Sequence, residues 1–393
     1  MKMKIKIGPS IRVRARLGLG IEDWDLQGTL GWVSGPMKIR VSLDATAIGR
    51  GKTGNETYLN GLLEGWREAK PDGVEILPLS SQSTSPRAPY PTREIPHTGF
   101  FKRHLVELPK ARGELKTDLY HGIYWVRPWE SEPYVLTVHD ISFEVHPEWF
   151  RPGEAWFYRT LVRRAAERAR KVITVSEFCR NEIMERWGMP ADRVETTYEA
   201  ARKIYRPGKR KKGGPPSLLF VSAIHPRKNL GRLIRVWRRL RAGRFPDLEL
   251  KVIGPAAWSA GPDLRALREA VQTAGAKWLG PQTDEELKEA YLAATLLVYP
   301  SLYEGFGLPP LEAMACGCPV VCSRTGSLPE VCGGAVEYFD PTSEDEMAAQ
   351  MGLILDSSSR QEELRAKGLE RSGAFSWART AEETADIYRR AME

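Results

Sequence analysis

Two cations stand just before a predicted helix, a position that favours binding of a charged ligand. Arg227 and Lys228 lie in the stretch S-A-I-H-P-R-K-N-L, residues 222–230, and a helix is predicted over residues 230–241. Cations at a helix N-terminus oppose the helix dipole, at a cost of about 0.3–1 kcal/mol each. A bound anion would remove the conflict, because the free amides and the cations would then both face it. We therefore expect an anion site here; the alternative is that both side chains extend into water.

Two carboxylates flank a glycine-rich loop in P-S-L-Y-E-G-F-G-L-P-P-L-E-A-M-A-C-G, residues 300–317. Glu304 lies in the loop, and Glu312 is expected near the third position of a helix that begins at residue 309 or 310. Gly305 and Gly307 allow a sharp turn that exposes backbone amides. Carboxylates accept hydrogen bonds from vicinal hydroxyls, so the pair would suit one pyranose and one ribose ring. Alternatives are a glycosidase-like pair and, for Glu312, a partner of the helix dipole.

Three further polar or glycine positions directly follow or flank predicted strands. His139 follows residues 134–138, Ser176 follows residues 172–175, and Gly54 ends a glycine-containing stretch between the strand at 39–43 and a helix. Ligands of open parallel sheets bind beyond the carboxyl ends of the strands, so all three are candidates for one cleft. Each has a simpler interpretation: a structural histidine, a helix N-cap and a flexible turn.

Phosphate-loop and metal arrangements are not favoured. The stretch at 46–54 nearly matches a P-loop, but the first required glycine falls at Thr46. His139 lacks an apparent third metal ligand, and the four cysteines at 316–332 have neither zinc-ribbon spacing nor a nearby histidine. We expect no metal site and interpret the cysteines as buried thiols in a reducing compartment.

These candidates need an alternating framework of strands and helices, and the hydrophobic pattern predicts one. Strands are predicted at 39–43, 74–77, 134–138, 172–175, 218–221, 248–253, 277–279, 295–299 and 320–322. Helices are predicted near 55–69, 154–169, 177–187, 230–241, 262–274, 284–293, 310–316, 344–355, 359–370 and 376–391. Short apolar strands separated by such helices are typical of parallel α/β sheets buried on both faces.

The predicted elements divide into two halves of similar size. Residues 1–36 differ in pattern from the rest of the chain. Either they are an added tail, or the true start of the protein is Met37. We expect a first α/β domain at 37–208, a Pro/Gly-rich charged linker at 209–216, and a second α/β domain at 217–375. A long loop is expected over residues 80–100.

Composition narrows the class of protein. The 393 residues are 42% hydrophobic and 27% charged, which is typical of globular proteins. No apolar run approaches the roughly 18 residues of a membrane span, and the N-terminus lacks a signal-peptide core, so a cytosolic location is expected. The net charge of +8 concentrates in residues 151–212, with 17 lysines and arginines against 8 aspartates and glutamates. That segment suggests an anionic partner or, alternatively, a solvated basic helix face.

With these residues assembled, the chain resembles a GT-B-fold glycosyltransferase, and more narrowly the large retaining family four that contains bacterial mannosyl- and glucosyltransferases. The resemblance runs from Met37 to Met392. It rests on the segments VHDISFEVHPEWF (138–150), VITVSEFCRNEI (172–183), LLFVSAIHPRKNLGRLI (218–234) and YPSLYEGFGLPPLEAMACGCPVV (299–321). The last contains the E-x(7)-E motif of the family.

The resemblance implies a fold and a role for each candidate. The fold would be α/β, with two Rossmann-like doubly wound domains facing a cleft and a final helix, residues 376–393, crossing back to the first domain. Catalytic roles would belong to Glu304 on the donor sugar, His139 facing the transferred sugar and Lys228 on the diphosphate. Further donor contacts would come from Arg227, Gly305, Phe306, Gly307, Leu308, Glu312 (on the ribose), Gly54 and Ser176.

The sequence departs from the family pattern at two places. Many relatives have an arginine five residues before the lysine, where this chain has Ala223; Arg227 would supply that charge. The loop before the first helix reads T-G-N-E-T instead of a Gly-Ile-Gly type, which weakens the expected diphosphate contact at Gly54.

The resemblance thus implies a retaining, metal-independent hexosyltransferase without a cofactor. The donor would be a nucleotide diphosphate sugar, with GDP-mannose as the first choice, and the acceptor a glycan or lipid-linked hydroxyl. Peripheral contact with an anionic inner membrane face is expected from the basic segment. A GT-B sugar-nucleotide epimerase and a non-catalytic sugar-nucleotide-binding protein are the alternatives. A nucleic acid partner is not expected, because no nucleic-acid-binding module is present.

Overall fold

The computed structural model describes residues 38–49, 54–80, 92–151, 153–209, 214–255, 271 and 273–393. The expectations for residues 1–36, for most of the predicted helix at 262–274 and for part of the linker at 209–216 lie outside the described residues. The long loop expected over residues 80–100 lies partly outside them as well.

The first half of the chain forms a parallel sheet of seven strands within the described residues. The spatial order is β3-β2-β1-β4-β5-β6-β7, which is that of a doubly wound fold with its topological switch point between β1 and β4. The strands are β1 (Ile39–Asp44), β2 (Val74–Ser80), β3 (Arg93–Glu94), β4 (Leu119–Ile123), β5 (Tyr134–Thr137), β6 (Lys171–Thr174) and β7 (Val194–Thr196).

The second half repeats this plan with six parallel strands in the part of the chain that the structure describes. Their order, β10-β9-β8-β11-β12-β13, puts the switch point between β8 and β11. The strands are β8 (Ser217–Val221), β9 (Glu249–Ile253), β10 (Lys277–Gly280), β11 (Leu296–Tyr299), β12 (Val320–Ser323) and β13 (Glu337–Phe339).

Helices connect the strands and cover both sheets, as parallel strands require. A π-helical turn, Arg103–Glu107, joins the second and third helices, and Pro147–Trp149, Pro226–Lys228 and Gly333–Ala335 form 3-10 turns. The α-helices are α1 (Gly54–Ala69), α2 (Phe100–Lys102), α3 (Leu108–Leu115), α4 (Ser142–Val145), α5 (Glu154–Arg168), α6 (Glu177–Trp187), α7 (Leu230–Ala242), α8 (Asp284–Ala293), α9 (Leu308–Ala315), α10 (Leu328–Cys332), α11 (Glu344–Leu355), α12 (Ser358–Gly373) and α13 (Trp377–Met392).

The two predicted α/β sheets are therefore confirmed, but the prediction missed strands. β3, β4, β7 and β13 were not predicted. The most important is β4, the central strand with sequence LYHGI, because His121 and Gly122 interrupt its apolar character. His121 is nevertheless fully buried: Tyr388 and Thr137 each lie 2.6 Å from one of its ring nitrogens.

The last helix, α13, packs against α1, the first helix of the other half of the chain. Two glycines on α1 make the close approach possible. A Cβ atom on Gly61 would lie 2.1 Å from the indole of Trp377, and one on Gly65 would lie 2.0 Å from the Trp377 carbonyl oxygen. We call the first sheet with α1–α6 the first lobe, and the second sheet with α7–α12 the second lobe. Helix α13 therefore follows the second lobe in sequence but packs on the first lobe.

Candidate functional site

The two central side chains of the site follow the strands that flank the switch point of the second sheet. Lys228 lies after β8 and Glu304 after β11, both beyond the carboxyl ends of their strands. Loops on the two sides of a switch point diverge and leave room between them, which makes it the usual ligand position in such sheets. The fold thus brings together two residues that are 76 positions apart.

Lys228 and Glu304 form a direct buried ion pair. The Lys228 Nζ lies 2.5 Å from Glu304 Oε1 and donates to the Tyr299 hydroxyl at 3.0 Å. Arg227 is close to the same carboxylate, with Nη1 3.6 Å from Glu304 Oε2 and 3.8 Å from Asp140 Oδ2. The alternative that both cations extend into water is wrong, because both are turned inward.

Charge and burial compete in this cluster. Burial opposes ionisation of Glu304, but the nearby charges of Lys228 and Arg227 outweigh it and hold the carboxyl pKa below its usual range. Burial and the charge of Arg227 lower the pKa of Lys228 to about 8, although the negative charge of Glu304 acts to raise it. The site therefore keeps an ionised carboxylate beside two cations.

The local backbone differs from the expected continuous helix start. Pro226–Lys228 form a separate 3-10 turn, and Asn229 has a φ of 58° before α7 begins. The Asn229 side-chain amide donates to the carbonyl oxygens of Pro300 and Pro341, at 3.1 and 2.9 Å. This left-handed turn is held by the loops after β11 and β13, and Lys228 within it is turned toward Glu304.

The glycine-rich loop passes directly into α9, which starts at Leu308 and not at residue 309 or 310. Glu312 is therefore the fifth residue of this helix, beyond the first turn, where a partner of the helix dipole is expected. The Glu312 Oε2 accepts a hydrogen bond from the Tyr291 hydroxyl at 2.9 Å. Gly307 has a φ of 109°, which only glycine adopts easily. The Phe306 ring is buried against Phe375, with ring centroids 5.9 Å apart.

The first lobe meets this loop at Gly305. Ser176 is the N-cap of α6, as the simpler interpretation has it, and its Oγ also donates to the Gly305 carbonyl at 2.6 Å. A Cβ on Gly305 would lie only 2.5 Å from the carbonyl oxygen of His139. Ser176 and His139 are thus brought to the edge of the same loop as Glu304.

His139 faces a buried carboxyl group that the sequence did not indicate. Its Nδ1 lies 3.5 Å from Glu199 Oε1, and the Tyr58 ring lies 4.7 Å away edge-on. Burial lowers the pKa of His139 to about 4 and, with the charge of Glu312, raises the pKa of Glu199 to about 8. Both groups are neutral at pH 7. The His139 Nε2 is buried and has no partner among the described residues.

The remaining candidate, Gly54, is the first residue of α1, and a Cβ there would contact nothing within 4 Å. Residues 50–53, which precede it, lie outside the described residues. All five cysteines are buried free thiols, as expected. Among the residues that the structure describes, no three metal-ligating side chains cluster, and no helix is long and apolar enough to cross a membrane.

Two family models match adjacent parts of the chain. The model described as Glycosyltransferase Family 4 matches residues 55–200, and the model described as Glycosyl transferases group 1 matches residues 201–371. A curated relative, the O-antigen chain mannosyltransferase B of Escherichia coli, is 33% identical over 289 residues, which are 71% of this chain and 76% of that protein. The chain belongs to glycosyltransferase family 4.

Other matches agree with this assignment. The serotype-specific mannosyltransferase WbdA of Escherichia coli is 29% identical over 68% of this chain, and the chain spans about a third of its length, 34%. Sucrose-phosphate synthase from Thermosynechococcus elongatus has a TM-score of 0.73 at 21% identity, covering 90% of this chain and 99% of that one. HepE from Anabaena, solved with UDP-glucose, has a TM-score of 0.71 at 18% identity, covering 89% and 99%. The predicted GT-B fold is confirmed, and this protein is a glycosyltransferase.

Proposed function

We propose that this protein transfers a hexose, mannose in the first instance, from a nucleotide diphosphate sugar to a hydroxyl of a glycan or lipid-linked acceptor. The proposal includes retention at the anomeric carbon and no metal requirement. The observation that carries it is the buried cluster of Lys228, Arg227 and Glu304 at the second switch point. The name of the mannosyltransferase relative and the UDP-glucose bound to HepE support the sugar and the donor class.

The cluster suits a donor because its partners can exchange. In the free protein Lys228 is neutralised by Glu304 at 2.5 Å. A diphosphate carries more charge than a carboxylate and would draw Lys228 and Arg227 toward itself. Glu304 would then be released to accept hydrogen bonds from the hydroxyls of the donor sugar, and Glu312 would do the same for the ribose.

The reaction would use these groups mainly as electrostatic catalysts. The bond between the anomeric carbon and the diphosphate oxygen breaks, and the two cations stabilise the charge that develops on the leaving group. The acceptor hydroxyl attacks from the same face and gives its proton to the departing phosphate. His139, neutral at pH 7, would contact the transferred sugar through its Nε2, which has no partner in the described part of the chain.

We expect the first lobe to hold the acceptor. Peripheral contact with an anionic membrane would use the exposed aromatic side chains of that lobe, Phe101 and Trp156, beside the cationic face of α5. A cytoplasmic location remains a prediction. The epimerase and the non-catalytic alternative are not favoured, because the matching relatives are glycosyltransferases.

The test begins with a thermal-shift panel of GDP-, UDP- and ADP-sugars, followed by a transfer assay with the stabilising donor. Lys228→Ala should lower kcat/KM by about 10²- to 10³-fold, as expected for loss of a group that stabilises the leaving charge. Lys203→Ala, which removes an exposed lysine whose partner is Glu68, is the matched control and should keep full activity. Near-normal turnover of Lys228→Ala would remove the diphosphate role.

A second variant separates the sugar from the diphosphate. Glu304→Gln keeps the size of the side chain but weakens its acceptance of sugar hydroxyls. Transfer should fall much more than the affinity for the nucleoside diphosphate alone, measured by calorimetry. Equal losses in transfer and nucleotide affinity would contradict the role of Glu304 on the sugar. The anomeric configuration of the product, read by NMR, decides retention.

A further inference from the structure

A buried arginine in the first lobe has no carboxylate partner among the described residues. Arg103 lies on the π-helical turn between α2 and α3 and is only 2% exposed. Its Nε and Nη1 atoms are buried and make no hydrogen bond, and among the described residues it forms no ion pair. Burying a charge without a partner is strongly unfavourable, so such a group usually marks the place of a ligand.

The neighbours of Arg103 in sequence contact residues at the switch point of the first sheet, between β1 and β4. His104, the next residue, has its Nδ1 3.8 Å from Asp44 Oδ2 at the end of β1 and its ring 4.9 Å from that of Trp125, just after β4. Phe100, on the preceding helical turn, also contacts the Trp125 ring, at 5.1 Å. This is the position in the first sheet that corresponds to the Lys228–Glu304 position in the second.

Asp44 does not neutralise Arg103, because its oxygens are used elsewhere. Its Oδ1 accepts from the Thr46 amide at 3.0 Å, and its Oδ2 faces His104. The Arg103 guanidinium is therefore left without a carboxylate partner among the described residues.

Two more hydrogen-bond donors lack partners among the residues that the structure describes: one is on Trp125, whose ring contacts Phe100 and His104, and the other is on Thr98, five residues before Arg103 in sequence. The indole Nε1 of Trp125 and the hydroxyl of Thr98 are buried and unpaired within the described part of the chain. Tyr124, next to Trp125, has a φ of 59°, a conformation that is unfavourable for an aromatic residue and is typical of functional sites. The Tyr124 ring lies 5.6 Å from that of His139, so this group of donors adjoins the proposed transfer site.

We propose that Arg103, Trp125 and Thr98 form an oxyanion subsite that binds a phosphate or carboxylate group of the acceptor saccharide. A guanidinium presents a planar set of donors that matches both groups, and the indole and hydroxyl add neutral donors. The aromatic rings of Phe100 and Trp125 give the sugar ring an apolar surface. The assignment to the acceptor rests on the proposed function, whereas the oxyanion site itself does not.

The first experiment measures binding to the full chain by calorimetry. The probes are mannose 6-phosphate, glucuronate, inorganic phosphate and neutral methyl α-mannoside. We expect the two anionic sugars to bind wild type at least about tenfold tighter than the neutral one, and Arg103→Met to abolish that preference, because one charge-assisted contact is worth about that factor. Comparing mannose 6-phosphate with glucuronate shows whether the site prefers a phosphate or a carboxylate. Comparing mannose 6-phosphate with inorganic phosphate shows whether it binds a sugar phosphate or free phosphate.

Lys228→Ala is the complementary variant. It should keep the preference for anionic sugars and lose donor binding, whereas Arg103→Met should keep donor binding and donor hydrolysis. An unchanged preference in Arg103→Met, or an equal loss of donor binding, would overturn the subsite. If no glycosyl transfer is found with any variant, the binding preference still tests the subsite separately from the proposed function.

A stability measurement excludes a purely structural role. An arginine held for a ligand destabilises the unliganded fold, so Arg103→Met should raise the Tm by about 1 °C or more and remove the stabilisation by mannose 6-phosphate. A structural arginine would give a lower Tm on substitution. Trp125→Phe keeps the ring and removes only the Nε1 donor; it should weaken anionic sugar binding without lowering the Tm.

Discussion

Replacing Glu199 by glutamine should stabilise the protein at neutral pH although it removes a buried contact. Glu199 is 5% exposed, and burial together with the charge of Glu312 raises its pKa to about 8. In the unfolded chain a glutamate titrates near 4.5. Between these two pH values the folded protein must hold a proton that the unfolded chain has released.

The sign of the effect follows from this difference. Below about pH 4.5 the carboxyl is protonated in both states, and its contribution to stability is fully present. From there to about pH 8 the free energy of unfolding falls by about 1.4 kcal/mol per pH unit. At pH 7 the loss is about 3 kcal/mol. Above pH 8 both states are ionised, and no further change is expected from this group.

Glu199→Gln keeps the neutral, hydrogen-bonding shape and removes the titration. With an unfolding entropy of about 2.1 cal/mol/K per residue, the roughly 320 described residues give about 0.67 kcal/mol/K, so 3 kcal/mol corresponds to a Tm rise of about 4–5 °C at pH 7. The variant and wild type should have nearly equal Tm values at pH 4.5 to 5 and diverge as the pH rises to 8.

The assay is thermal unfolding without donor at pH 5, 6, 7 and 8. Glu185→Gln makes the same chemical change on an exposed residue of α6 and serves as the control; its curve should parallel that of wild type. Parallel curves for Glu199→Gln and wild type would refute a buried neutral carboxyl next to His139. A variant less stable than wild type at pH 7 would refute it as well.

Two further predictions concern packing and membrane contact. Gly65→Ala should lower the free energy of unfolding, measured by urea titration, by about 1–3 kcal/mol, because the new methyl group overlaps the Trp377 carbonyl. The control is Gly352→Ala, at a helical glycine whose Cβ would contact nothing within 4 Å. This change should leave the free energy of unfolding the same or raise it. The enzyme should co-sediment with anionic vesicles at low salt and be released at high salt, and the double change Phe101→Ser, Trp156→Ser should weaken binding; no binding of wild type at low salt would exclude membrane contact.

Much of the fold was predictable because parallel strands carry a local signal. The segments at β8 and β11 are continuous apolar runs, and their predicted bounds agree with the structure to within one residue. The loops that follow such strands must lie at one edge of the sheet, so the sequence alone was enough to assign Lys228 and Glu304 to the same cleft.

The parts that could not be predicted depend on partners far away in sequence. β4 contains a buried histidine, and one of its two hydrogen-bonding partners is Tyr388, 267 residues later in the sequence. Glu199 occurs in a segment without periodicity, and its raised pKa depends on its burial and on the charge of Glu312, a residue far away in sequence. The unpaired state of Arg103 is likewise invisible in sequence, because it depends on which carboxylates the fold directs elsewhere.

The crossing of α13 onto the first lobe has a consequence for biosynthesis. The buried face of α1 and the ring of His121 obtain their final neighbours from Trp377 and Tyr388, which the ribosome adds only after the described strands of both sheets. The first lobe therefore completes its core only after the second lobe has been synthesised. Nascent chains that have not yet reached Trp377 should accumulate as protease-sensitive species, although all seven described strands of the first sheet have already emerged.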